Sequence, residues 1–343
     1  MTTCVSNLQT SRTSFNYSLF KVLSILVVIS GHWITGSPVP LWIPSTIGLF
    51  IFSFSSAFFT ASIYGHKLNI KGFWSNKLRR LLVPYWLALS FLAILILVRG
   101  QQLFHWHSLL HVFGLSAFLN LFGHNQSALG NGLWFFTILI LFYLAYPIIA
   151  RTFAISGGGI IFPLIATLLF MSLDHLVKVG FSLWLTTLGF VLGIYFGLYR
   201  VSMRTDVSLG LTLGSLAAML GLNVCFGYTW ANTMLLTLAC VGANLWIIDA
   251  RIPHFPALRA LARLENFLLE IFLIHTYLFF HLTGNNTIDF FVSLGLIILT
   301  AWILKTASLK LQSSFFSSRP PRISIADIVP VDLDMPEQAE YAN

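Results

Sequence analysis

Charge is what this sequence has least of. Asp, Glu, Lys and Arg make up only 9% of its 343 residues, against 57% hydrophobic residues. Soluble domains carry about 25% charged residues, so a soluble globular domain is excluded, and the mean hydropathy of +0.84 points to a polytopic membrane protein. Cysteine is scarce as well. Cys4, Cys225 and Cys240 are far apart in the chain, one in a polar end and two in apolar runs, which argues against a disulfide framework or a thiolate metal cluster. Acids are scarcer than bases, 11 against 19, for a net charge of +8. The cations fall singly or in small groups between apolar runs, so they mark membrane topology rather than a nucleic-acid surface. No internal repeat is visible, which disfavours transporters built from repeated halves.

What the sequence has is apolar runs. Ten helices of spanning length are expected near 18–35, 43–64, 82–98, 132–150, 158–174, 180–198, 207–225, 229–248, 266–282 and 288–309, since a hydrocarbon core of about 30 Å needs roughly 20 residues. The fold class is thus an all-α membrane protein. Residues 101–127 are too polar to span and suit an interfacial or re-entrant course. Residues 1–17 form a polar N-terminal segment followed by an uncleaved first span. Nearly all cations, among them Arg12, Lys67, Lys71, Arg151, Arg200, Arg251 and Lys310, fall on one side of this topology, with only Arg99 and Lys178 on the other. Both termini are therefore expected in the cytoplasm. The membrane domain ends near 311, and the acidic, Ser/Pro-rich residues 312–343 suit a disordered tail.

Two ionisable residues stand inside the first apolar run, "KVLSILVVISGH". On a helix the eleven steps from Lys21 to His32 advance about 16 Å and leave the two side chains only about 20° apart. Ionisable groups at membrane depth face a bundle interior or a watery cavity. Each also has a plainer reading: Lys21 as a snorkelling anchor, His32 as an interfacial histidine. A second feature is "GFWSNKLRRLLVPYW", in which Lys77, Arg79 and Arg80 precede a span whose first turn holds Pro84. This suits a phosphate clamp on an anionic donor and equally an ordinary cluster of topology-setting cations. In "HWHSLLH", His107 and His111 have helical spacing, but no neighbouring acid or thiol completes a metal site. Glu270 and His275 are five residues apart in one apolar run, with Glu270 expected to be a buried partner for a base.

Together these stretches resemble the type-3 integral membrane acyltransferases, typified by bacterial O-acetyltransferases of envelope glycans. The family pairs an Arg and a His across ten residues in its first helix, where this chain has Lys21 and His32. "GLFIFSFSSAFF" keeps Gly48, Phe52, Ser56 and Phe58, with Ala57 at a customary Gly. The basic loop and proline correspond to Lys77, Arg79, Arg80 and Pro84; "LWFFTILILFYLAYP" supplies Trp134, Phe135, Tyr143 and Pro147; "IFLIHTYLFF" supplies His275. The resemblance implies a multi-pass protein of the bacterial inner membrane that uses acetyl-CoA or another acyl-CoA as donor substrate, with no resident cofactor and no metal. The acceptor would be a hydroxyl of an extracytoplasmic or lipid-linked glycan. Lys77, Arg79 and Arg80 would hold the donor phosphates, His32 would be the base or acyl carrier, and Lys21 would steady charge on the donor. Ser56, Trp134, Tyr143, Glu270 and His275 complete the candidate site. The alternative from composition alone is an exporter of a polysaccharide or lipid-linked intermediate, which also needs charges in a membrane cavity.

Overall fold

The structure, a computed structural model, describes residues 2–34, 41–65, 68–105, 107–121, 123, 125, 127–130, 132–177 and 182–315. Lys67, Lys178 and the acidic tail from 316 onward lie outside the described residues. The described residues are helical, without strands. Thirteen α-helices follow in order: α1 (Thr2–Trp33), α2 (Trp42–Tyr64), α3 (Ile70–Val98), the short α4 (Ser108–Val112) and α5 (Ser116–Leu121), α6 (Trp134–Ile155), α7 (Ile161–Leu176), α8 (Leu183–Tyr199), α9 (Thr205–Phe226), α10 (Trp230–Asp249), α11 (Pro256–Ala262), α12 (Leu268–Ile274) and α13 (Asn286–Phe315). Among the described residues seven of these contain stretches long and apolar enough to cross a membrane, in α1, α2, α3, α6, α9, α10 and α13. α7 and α8 are apolar but shorter. Ile94, Leu97, Ile148, Ile161, Leu213 and Ile303 stand exposed around the bundle, as side chains facing lipid do.

Three expectations from sequence need correction. The helix expected from 18 begins at Thr2. Pro84 does not start a helix: α3 begins at Ile70, where the Asn69 side chain accepts the Gly72 N–H at 3.2 Å and caps it. Lys77, Arg79 and Arg80 therefore belong to the helix, and Pro84 sits inside it. Nor is 266–282 one helix. A 3-10 turn at Arg263–Phe267 leads into α12, a second 3-10 turn covers His275–Tyr277, and the chain then runs without helix to 282. The reason lies across the interface with α13. There the Ser293 hydroxyl accepts the Phe280 N–H at 3.0 Å and Asp289 accepts the Thr283 N–H at 2.9 Å. Backbone donors satisfied by neighbouring side chains have no need of another helical turn.

α2 is the hub. Gly189, Gly193 and Gly197 of α8 lie one turn apart against Phe50, Phe54 and Phe58, so the two helices run parallel in register. An added Cβ would stand 2.5 Å from Ser53 Oγ at Gly189 and 2.5 Å from the Phe58 carbonyl oxygen at Gly197. Small residues permit this backbone approach, as in packed membrane helices generally. On another side α1 meets α2, where a Cβ at Gly48 would lie 3.0 Å from Ser24 Cβ. α1 also closes the end of α10. Thr13 donates to the Ile248 carbonyl (2.9 Å), and the Asn16 amide donates to those of Ile247 (2.8 Å) and Ala250 (2.9 Å), carbonyls that a helix terminus leaves without internal partners.

The segment between α3 and α6 is folded back on itself rather than spanning. His111 is buried there, its Nδ1 2.9 Å from Ser116 Oγ and its Nε2 3.3 Å from Ser127 Oγ. Gly130, at φ +99°, leaves no room for a Cβ beside that ring. Burial first, and then the charge of His107, holds His111 down at about 4.

Candidate active site

His32 lies in the last turn of α1 and His275 begins the 3-10 turn after α12, yet their rings stand 5.3 Å apart at 48°. His275 is 1% exposed and its Nδ1 is 2.8 Å from the Phe272 carbonyl oxygen. A carbonyl only accepts, so Nδ1 carries the hydrogen and Nε2 presents its lone pair. That Nε2 is buried with no hydrogen-bond partner among the described residues, a cost that a protein bears for a reason. Phe272 and Phe279 wall the ring at 5.5 and 6.5 Å. His32, by contrast, is exposed. The pair therefore joins one imidazole fixed in its tautomer to one that can meet a ligand.

Eleven residues earlier on α1, Lys21 is ion-paired to Glu265, which also takes the Ser18 hydroxyl, and the ammonium lies 5.9 Å from the Phe59 ring centre. Lys21 and His32 thus face the same segment, meeting Glu265 and His275 in parallel order. From the other side, Lys305 of α13 stands 3.4 Å from the wholly buried Glu270. Each ionisable side chain of residues 265–275 is matched by a basic partner on a neighbouring helix.

A second cluster brings together Lys77, Tyr143 and Ser56. Lys77 donates to Thr60 Oγ1 at 3.0 Å, and its ammonium lies 4.4 Å from the ring centre of Tyr143, 5.7 Å from Tyr64 and 5.8 Å from Phe73. These electron-rich ring faces hold a cation without neutralising it. Tyr143 OH is 2.7 Å from Ser56 Oγ, and Trp74 Nε1 donates to the Tyr143 carbonyl at 3.2 Å. Lys77 and Lys21 meet successive residues of α2, Thr60 and Phe59, so both cations approach one end of the bundle while the imidazoles lie about 16 Å along α1. Arg79 is half-buried and Arg80 exposed on the same helix as Lys77. Trp134 is buried at the start of α6, but it is Phe135 that touches the α12 ring, 4.7 Å from Phe272. Sequence reasoning passed over Glu265 and Lys305. A lone lysine inside the apolar run "LIILTAWILKTASL" was the signal that Glu270 has a partner.

This arrangement has a counterpart in sequence: residues 16–306 match the acyltransferase domain model of the type-3 acyltransferases. The chain belongs to the type-3 acyltransferase family. No curated protein and no solved structure matches it. Family membership and the apolar helices together make this chain a multi-pass membrane acyltransferase, and in this acyltransferase the matched region contains every residue of both clusters.

Proposed function

We propose that the protein transfers an acyl group, foremost acetyl from acetyl-CoA, to a hydroxyl of an extracytoplasmic or lipid-linked glycan in a bacterial inner membrane. The observation that carries this reading is the meeting of His32 with His275 from opposite ends of the chain, with Lys77, which has no acidic partner among the described residues, at the other end of the same bundle. Lys77, Arg79 and Arg80 suit the donor phosphates, on the cytoplasmic side by the positive-inside rule, while the pantetheine arm leads the thioester toward the imidazoles. His32 takes the proton of the acceptor hydroxyl as its oxygen attacks the thioester carbonyl. The tetrahedral adduct then collapses, the C–S bond breaks, and the proton is returned to the leaving thiolate to give free CoA and the ester. His275, its Nε2 free, steadies the His32 ring and the proton it carries. Lys21, about half a bilayer from His32, acts on the donor rather than on the reacting carbonyl. Membership of an acyltransferase family favours this over an exporter.

The test is transfer of label from acetyl-CoA to envelope glycan by purified protein normalised to folded material. His32→Ala should lower the rate by a factor of about 100 or more, with acetyl-CoA binding retained. Lys21→Arg, which keeps the cation against Glu265, should remain active. A wild-type rate in His32→Ala would remove the imidazole pair from the mechanism.

A further inference from the structure

Beyond His32 the chain builds something that neither the imidazole pair nor the cation cluster uses. Trp33, the last residue of α1, stacks on His281 with ring centres 4.5 Å apart at 26°, and meets Phe279 and Phe290 edge-on at 5.4 and 5.8 Å. Phe279 in turn adjoins His275, so the stack is continuous with the catalytic rings. Trp33 is partly open and His281 exposed. Beside them stands Asp289, in the first turn of α13, which interacts electrostatically with His281. Its Oδ1 accepts both the N–H and the hydroxyl of Thr283, each at 2.9 Å. Its Oδ2 is buried and has no hydrogen-bond partner among the described residues, although the residue is only 1% exposed.

A buried carboxylate oxygen left without a donor is costly. An open aromatic stack ending in an imidazole is also not what a lipid-facing belt requires, since belt tryptophans need only an apolar body and a wet tip. The two features fit one ligand chemistry. A pyranose offers a face of C–H groups, which suits the electron-rich face of an aromatic ring, and a rim of hydroxyl donors for a carboxylate. Small-ligand sites commonly take this form, aromatic walls with a few placed polar groups. We propose that Trp33, His281 and Asp289 form the acceptor subsite, taking a sugar ring against the Trp33–His281 stack with one hydroxyl on the free Asp289 oxygen. A neighbouring hydroxyl is then delivered to His32, the residue adjoining Trp33. The inference deepens the proposed acyl transfer and rests on the acceptor reaching the His32 end of the bundle.

Binding is tested without any acyl donor, so that the subsite and the reaction are judged separately. The probe is the pool of oligosaccharides released by mild acid from the envelope of the cells that carry the protein. It is added to purified protein in lauryldimethylamine oxide, a detergent without a sugar headgroup, and read by saturation-transfer NMR on the sugar ring protons. Wild type should transfer saturation to ring protons. Trp33→Ala should bind about tenfold more weakly or worse, and Trp33→Phe should restore most of the signal. Asp289→Asn, nearly isosteric and still able to accept from Thr283, should weaken binding about tenfold through loss of a charged hydrogen bond; it carries the test if Trp33→Ala fails to fold. Trp302→Ala, an exposed tryptophan elsewhere on α13, is the control and should bind as wild type does. With labelled acetyl-CoA added, Trp33→Ala should raise the KM for the oligosaccharides while the affinity for acetyl-CoA stays unchanged. Sugar binding that is absent in wild type, or undiminished in both Trp33→Ala and Asp289→Asn, overturns the subsite and leaves these rings as an interfacial belt. Binding lost in the variants but no transfer by wild type would retain the subsite and overturn the acyl-transfer reading instead.

Discussion

Glu270 and Lys305 show how an ionisable residue survives in an apolar bundle. Glu270 has no exposed surface and its lone cationic neighbour among the described residues is 3.4 Å away. Removing one member of such a pair leaves an uncompensated buried charge and typically costs about 3–5 kcal/mol, whereas replacing both by apolar or neutral groups is often tolerated. Lys305 keeps part of its side chain exposed, which places the expected loss toward the lower end. Lys305→Met should thus lower the melting temperature in detergent markedly, and Glu270→Gln combined with Lys305→Met should recover most of it. A double variant no more stable than Lys305→Met alone would mean that the two residues do not act as a pair. The sequence disclosed Glu270 as a residue in need of a base, yet left Lys305 unassigned because the two are 35 residues apart with a chain reversal between them. Lys21 and His32 were legible as sharing a face, since both lie on one regular helix where 3.6-residue geometry suffices. Their pairing with Glu265 and His275 was not, since those two residues lie where the helix breaks.

At the level of elements the same contrast holds. Long apolar helices announce themselves, and α2, α6, α9 and α10 begin within two residues of the expected positions. The break around α12 does not, because the residues that cause it, Asp289 and Ser293, act from the next helix. The glycine row of α8 was visible as a four-residue spacing in "LGFVLGIYFGLY" but spoke only once α2 was known to be its partner. Gly193 faces the Phe54 carbonyl, with Ala57 Cβ 2.9 Å from where its own Cβ would be. Gly193→Ala must push these backbones apart, at a cost of about 1–3 kcal/mol by analogy with overpacked cores. Gly214→Ala, where α9 offers open space, should be neutral. Equal melting temperatures for the two variants would mean that the α2–α8 seam is looser than described.

For the whole molecule, the folded-back segment before α6 couples stability to pH. His111 titrates near 4 in the folded protein and near 6.5 once unfolded. Between those values the unfolded chain binds the extra proton, so stability rises with pH across this window and is lost as pH falls through it. Melting temperatures measured from pH 7 down to 4 should fall accordingly, and His111→Gln should flatten the slope. An unchanged slope in the variant would assign the acid sensitivity to other groups. Sequence reasoning marked this stretch as too polar to span, which was enough to keep it from being counted as a helix of the bundle. It could not show that the polar residues satisfy one another, since Ser116, Ser127 and His111 meet only after the chain has doubled back.

The glycine row also bears on where the protein can give way during a catalytic cycle. Contacts made by side chains, such as Lys77 with Thr60 or Tyr143 with Ser56, can be exchanged by a turn about one or two bonds. A contact between backbones has no such freedom, and α2 is clasped in that way by α8 from Phe50 to Phe58. α2 with α8 therefore acts as a doorpost. Any opening of the bundle should fall on the side where Lys77 of α3 and Tyr143 of α6 meet α2 through their side chains. Compounds wedged between α2 and α3 should jam turnover, whereas the sealed α2–α8 seam offers an inhibitor no foothold.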